Sequence, residues 1–217
     1  MKLNDKKELV HKPNQTIMIT NGEISVVQRK AYNVILHQAQ KQVKSNPNQI
    51  LFNFVIADLK EKAGIKATDN WHLKKDIEKL REISVETIHD NGDWTIFSLI
   101  AQAKKKKDFL EIQLPEEIRQ ALILNDYYTT LDLMIIKNLE GKYAVILYEL
   151  AMRYHKKQIP ELAVKEFKEL TGTTNTSSYV DFNNIRKKII EPAINEINEK
   201  TDIKMSYEAI KTGRKIT

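Results

Sequence analysis

Tyr143-Ala144-Val145-Ile146-Leu147, in the second half of the chain, echoes Tyr32-Asn33-Val34-Ile35-Leu36 in the first. Two further echoes follow in the same order. Lys60-Glu61-Lys62-Ala63-Gly64 returns as Lys168-Glu169-Leu170-Thr171-Gly172, and Ile83-Ser84-Val85-Glu86 has its counterpart in Ile203-Lys204-Met205-Ser206. A period near half of 217 residues is too long for a solenoid, whose repeats run about 20–50 residues. The pattern therefore predicts two tandem copies of one domain, each close to the common domain size.

The first copy spells out the unit. Ser25 with Gln28 three residues on is a capping box, in which each side chain satisfies an orphan N–H of the first turn; a helix over 26–44 follows. Beyond Pro47, the alternation of Ile50, Phe52 and Phe54 reads as a strand. A short helix over 58–63 stops at Gly64, and a more charged helix, with Trp71, Ile77 and Leu80 as apolar positions, spans 68–82. Segments 83–89 and 94–103 flank Asp90-Asn91-Gly92-Asp93, whose Asn-Gly pair suits the positive φ angles of a hairpin turn. Helix, strand, helix, turn, helix, hairpin is the order of a winged helix, whose second turn-linked helix enters a major groove. The expected fold class is α+β, two tandem winged-helix domains.

The intended boundaries are a flexible arm over 1–14, a first domain over 15–138 and a second over 139–217. The first includes a bridge over 104–140, with a strand at Phe109, Ile112 and Leu114, a helix from Pro115 to Leu122 and an extended piece from Tyr127 to Leu133. Rich in Ile and Leu, the bridge is expected to be packed structure that holds the domains in a preferred orientation. Residues 215–217 only begin a returning strand, so the second wing is expected to be incomplete here.

Composition narrows the function. Lys and Arg number 35 against 29 Asp and Glu, a net charge of +6 that favours polyanionic partners without identifying one. No cysteine is present, which excludes disulfides, thiolate metal sites and cysteine nucleophiles. No apolar run approaches the ~20 residues that span a bilayer, and Met1-Lys2-Leu3-Asn4-Asp5-Lys6-Lys7 has no apolar signal region. A cytoplasmic protein with no membrane partner is expected. The five histidines are scattered, with no His-x-His pair, and no Gly-x-x-x-x-Gly-Lys-Ser/Thr loop occurs. No enzyme, no metal and no cofactor are expected, and Tyr127 and Tyr128 read as partly buried aromatics, not nucleophiles.

The candidate recognition helix of the second copy spans 180–200, with Phe182, Ile185, Ile189, Ala193 and Ile197 as its packed stripe. Near its start lie Asn183, Asn184, Arg186, Lys187 and Lys188, side-chain types that pair with adenine edges, guanine edges and phosphates. On an ideal helical wheel Arg186 falls inside the apolar arc, so either the helix outruns the core or Pro192 alters its phase. Wing candidates for phosphate contact are Lys204 in one strand with Lys211, Arg214 and Lys215 around Gly213. In the first copy, Lys74, Lys75 and Lys79 lie on the equivalent helix, and Lys104, Lys105, Lys106 and Lys107 form a run at the next hairpin turn. A lysine run there also serves to keep strand edges soluble.

From Leu114-Pro115 to Gly213-Arg214-Lys215 the sequence resembles the Rep_3 family of plasmid replication initiators. The residues that carry the likeness are Tyr143-Ala144, Leu147-Tyr148-Glu149-Leu150, Phe167-Lys168-Glu169-Leu170 with Gly172, Tyr179, Phe182, Ile185 through Ile190, Pro192-Ala193, Glu196-Ile197-Asn198, Thr201 and Tyr207. The resemblance implies a second winged helix that reads iterons, the direct repeats of a plasmid origin. It implies a first that serves dimerisation and contacts with flanking DNA. Partners implied are double-stranded origin DNA, a second copy in a monomer–dimer equilibrium, and the host replication initiator and helicase, with repression of its own promoter as a dimer. The family's basic cluster falls on Arg186, Lys187 and Lys188; two lysines there lack the planar fork that reads guanine bidentately. A winged-helix transcriptional repressor without an initiation role has the same parts, and so does a winged-helix module that binds only protein.

Overall fold

A computed structural model describes residues 7–19, 24–66, 72–88, 91–124, 128–155, 157–212 and 215–216. In chain order the first half contains β1 (Leu9–Pro13), α1 (Val26–Ser45), β2 (Leu51–Val55), α2 (Ile56–Lys62), α3 (Leu73–Glu82), β3 (Ser84–Ile88) and β4 (Trp94–Ser98). It continues with β5 (Gln102–Lys106), β6 (Phe109–Gln113), α4 (Glu116–Leu124), β7 (Tyr128–Asp132) and α5 (Leu133–Asn138). The second half contains α6 (Lys142–Arg153), α7 (Val164–Thr171), α8 (Phe182–Ile185), a π turn (Arg186–Ile190), α9 (Glu191–Lys200), β8 (Lys211–Thr212) and β9 (Lys215–Ile216).

The capping box is present as read: Ser25 N–H donates to Gln28 Oε1 at 2.9 Å and Gln28 N–H to Ser25 Oγ at 3.1 Å. It starts α1, which is buried on nearly every face because β1, α2, α3, α4 and α5 all pack around it. Helices enclosed in this way are normally apolar all round. Here several polar positions are buried with partners, as when Lys30 donates to the carbonyl of Lys137 at 3.0 Å and Gln28 Nε2 to Asp76 at 2.7 Å.

Alternation works as expected in the sheet β2-β6-β5, which is antiparallel throughout. Phe52 faces Ile112 and Phe54 faces Leu110 on the inner surface, all four buried. The expected bridge is thus part of the first domain's own core, since β6 is the central strand of that sheet. The expected strand over 94–103 is two strands: β4 pairs with β3, and the chain bends after Ser98 so that β5 pairs with β6. Leu99 and Ile100, fully buried at the bend, hold the corner in the core.

The expected flexible arm is corrected from Leu9 onward. Residues 9–13 are β1, paired antiparallel with β7 from Leu9↔Asp132 to Pro13↔Tyr128. The segment reads as polar because the inward position Lys12 carries a charge, yet its side chain is only 1% exposed. Its ammonium lies 2.9 Å from both carboxylate oxygens of Glu149. Helix α5 also departs from the expected extended piece, which ends at Asp132; that side chain caps α5 by accepting from Met134 N–H at 2.9 Å. The expected first turn of the charged helix, with Trp71, and Asp90 of the hairpin turn lie outside the described residues.

In the second half, α7 ends on Gly172, as the echo of Gly64 predicted, and Gly172 takes φ +65°, a left-handed cap. Helix α6 packs on α9 and on β7, joining the two halves. Glu149, on α6, accepts from Lys12, from Arg29 Nη1 at 2.6 Å and from Asn33 Nδ2 at 2.7 Å, all of them buried.

Candidate nucleic-acid interface

The recognition element begins one residue after Asp181, whose carboxylate accepts from Asn183 N–H at 3.0 Å as an N-cap. The expected continuous helix over 180–200 is interrupted. Glu191 N–H donates to the carbonyl of Arg186, an i→i+5 bond that defines a π turn. Pro192 supplies the reason: it has no N–H to give Lys188, and its ring crowds that carbonyl. Widening the turn removes the clash and rotates everything before it.

The rotation resolves the phase of the wheel. Ile185, Ile189 and Ile190 are buried together, while Lys187 and Lys188 are exposed and Arg186 is part-exposed with a side-chain accessibility of 39%. Among the described residues Lys187 and Lys188 make no ion pair, so their charges face solvent. Asn183 is exposed and Asn184 half-buried on the same end. The turn therefore brings all five sequence-predicted residues to the start of one helix, backed by packed isoleucines.

Glu191, outside the sequence-predicted site, positions this end together with Tyr207. Glu191 Oε1 lies 3.7 Å from Arg186 Nε and accepts from the Tyr207 hydroxyl at 3.3 Å, tying the turn to the segment that leads to the wing. Burial, and then the Glu191 carboxylate, push the Tyr207 hydroxyl above its usual range. Nothing in the spacing signals Glu191, because i and i+5 share a face only in a π turn. Farther along, Glu196 accepts from the backbone N–H groups of Glu140 at 2.6 Å and Gly141 at 3.0 Å, holding α9 against the start of α6. A carboxylate there meets the positive end of the helix dipole. Burial raises its carboxyl, but those two N–H groups and Lys200 outweigh burial and hold it below the ordinary range.

The wing candidates divide. Lys204 is exposed but lies in no strand, and its ammonium donates to the carbonyl of Asn198. Asn198 in turn brackets the backbone of Met205 through 2.7 and 2.9 Å bonds, which orients the chain leaving α9. Lys211 is exposed in β8, whose pairing with β9 forms a hairpin at the predicted place. Lys215 belongs to β9; its side chain, and Arg214 and Gly213 entirely, lie outside the described residues.

In the first half the lysines are exposed but partly self-neutralised. Lys74 pairs with Glu78 at 3.6 Å and Lys79 with Glu82 at 2.7 Å, leaving Lys75 unpaired among the described residues of α3. The lysine run is not confined to a turn, as the sequence suggested. Lys104, Lys105 and Lys106 are in β5, and only Lys107, at φ +52°, makes the turn into β6. Lys106 pairs with Glu111 at 3.2 Å across the ladder. Among the described residues no cluster of His, Asp or Glu could hold a metal ion, and no helix is long and apolar enough to cross a membrane.

Residues 9–152 match the family described as "Initiator Replication protein, WH1", and residues 163–217 match "Initiator Rep protein, WH2". The structure is similar to the crystal structure of the Pi initiator protein in complex with iteron DNA, with a TM-score of 0.65 at 16% sequence identity. That likeness covers 98% of this chain and 95% of the other. No curated protein matches. With two winged-helix domains in tandem and matches over both, this chain belongs to the initiator Rep proteins.

Proposed function

We propose that the protein starts plasmid replication by binding direct repeats of double-stranded origin DNA, with the second winged helix as the reader. The observation that carries this reading is the recognition end itself: Asn183, Asn184, Arg186, Lys187 and Lys188 stand together on a turn locked from behind by Ile185, Ile189 and Ile190. Arg186 and the two asparagines are the base-reading types, and the free lysines suit phosphates. Lys204, Lys211, Arg214 and Lys215 are read as further phosphate contacts. Lys74, Lys75, Lys79 and the run 104–107 are weaker contributors to flanking backbone, given their acidic neighbours. The domains are read as 15–138 and 139–217. The protein acts by binding, without a catalytic step or cofactor, and its further partners are a second copy and the host initiator and helicase.

The test is footprinting and affinity titration on the DNA upstream of the protein's own gene. Wild type is compared with Arg186→Ala and with Lys187→Ala/Lys188→Ala. Wild type should protect tandem direct repeats. Loss of Arg186 should cost about 1–3 kcal/mol on the cognate repeat and relax discrimination at one base pair. The lysine pair should weaken all duplexes alike and reduce the slope of log K against log salt by up to about 2, near 0.9 for each phosphate contact. Protection of an inverted repeat alone would make the protein a repressor, and no salt-dependent binding to any duplex would refute DNA reading.

A further inference from the structure

A carboxylate stands at the end of the molecule read above as the DNA-facing one. Glu191, 44% exposed, lies beside Arg186 on the element that also carries Lys187 and Lys188. A negative charge there repels phosphates and lowers the affinity for every duplex alike. The π turn is what brings it to Arg186. Residues five apart are not neighbours on a regular helix, but here Glu191 N–H reaches the carbonyl of Arg186, and Glu191 Oε1 lies 3.7 Å from Arg186 Nε. Tyr207 holds the carboxylate in place: its hydroxyl donates to the same Oε1 at 3.3 Å, and Arg186 lies against that hydroxyl as well. Arg186 Nε is buried and makes no hydrogen bond among the described residues, so the adjacent Glu191 oxygen is the acceptor it can close on. An arginine tied by its Nε edge keeps its two terminal NH2 groups free, and that pair, presented end-on, matches O6 and N7 of guanine. An untied arginine can equally turn its fork to a phosphate.

We propose that Glu191 is a positioning residue that makes Arg186 a reader of guanine instead of a phosphate contact, with Tyr207 as its brace. The arrangement exchanges affinity for discrimination. Glu191 weakens binding to any backbone, and it restricts the long Arg186 side chain before DNA arrives, so that less rotamer freedom is lost on reading the base. Because Tyr207 belongs to the segment that leads to the wing, the brace also makes base reading depend on where that segment sits. The inference rests on the DNA reading above and adds to it the base opposite Arg186, a guanine in each repeat.

The experiment measures affinity at fixed salt for the footprinted repeat, for the repeat with each G·C pair changed singly to A·T, and for an unrelated duplex. Wild type is compared with Glu191→Ala, Tyr207→Phe, Arg186→Ala and Arg186→Ala/Glu191→Ala, each checked by a thermal melt. Wild type should prefer one G·C pair through Arg186 by about 5–150-fold, the range of a bidentate contact. Glu191→Ala should cut that preference at least about threefold at the same pair alone. It should also bind the unrelated duplex about twofold more tightly, because a charge that repels phosphates is gone. Tyr207→Phe should lower the same preference, and it decides the matter by itself if Glu191→Ala melts below the assay temperature. In the Arg186→Ala background, Glu191→Ala should change no base preference, since the two act as one unit. If Glu191→Ala and Tyr207→Phe keep the wild-type preference, or weaken every duplex alike, the proposal is overturned and the DNA reading stands. A wild-type protein with no base preference on any repeat removes the reading and the inference together.

Discussion

Replacing Glu149 by Gln should be the most damaging isosteric change in the molecule. Glu149 is fully buried and is the only carboxylate bonded to two buried cations among the described residues, Lys12 and Arg29, with Asn33 as a third donor. Burial raises its carboxyl, but Lys12, Arg29 and Asn33 outweigh burial and hold it below the ordinary range, so it is the anion of the cluster. Gln keeps the volume and one acceptor, removes the charge and turns the other acceptor into a donor that faces donors. Arg29 cannot shed its proton, so a buried guanidinium is left without a counter-ion. Breaking a buried pair from one side costs about 3–5 kcal/mol. With a urea m-value of about 2–3 kcal/mol/M, the unfolding midpoint should fall by roughly 1–2.5 M.

Lys12→Met makes the matching control, because Lys12 is the surplus cation of a two-to-one cluster and an apolar replacement of similar length should cost under about 1.5 kcal/mol. Burial, opposed by Glu149, lowers Lys12 from 10.5 to about 8. A base depressed in the folded state costs stability while protonated. The cost is full below pH 8 and is relieved as the pH rises toward 10.5, because the unfolded chain then holds more protons. Wild type should therefore gain stability relative to Lys12→Met between pH 8 and 9.5. The window stops there because Tyr32 and Tyr148, whose hydroxyls burial pushes far up, act in the opposite sense once unfolded tyrosines ionise near pH 10. Urea titrations of the three proteins at pH 7 and 9.5 test this. Glu149→Gln and Lys12→Met losing the same stability, or an alkaline gain that persists in Lys12→Met, would refute the argument.

His37 should make the protein acid-sensitive. Burial, aided by Lys41 and Lys62, lowers it to about 4, so stability should fall as the pH drops from 6.5 toward 4. Thermal melts of His37→Gln should lack that component of the slope. Ser25→Ala removes one half of the capping box and should cost about 0.5–2 kcal/mol by denaturant unfolding, with the fold unchanged in circular dichroism.

Much of this protein is legible in one dimension because the signals are local. The box at Ser25 and Gln28, the alternation of Phe52 and Phe54, the glycine that ends α7 and the isoleucine stripe around Ile189 are read within a few residues, and the structure keeps each of them. The duplication was legible for the same reason, as local patterns in a repeated order. What the tertiary structure alone decided depends on distance along the chain. Lys12 looks like a solvated residue of a loose arm until Glu149, 137 positions away, supplies the counter-ion that allows burial. Arg186 seems to point into the core until the missing N–H of Pro192 widens the turn and rotates it outward. Lys104, Lys105 and Lys106 belong to a strand because Phe109–Gln113 pairs on both edges, a choice made by backbone hydrogen bonding across the sheet that no periodicity records.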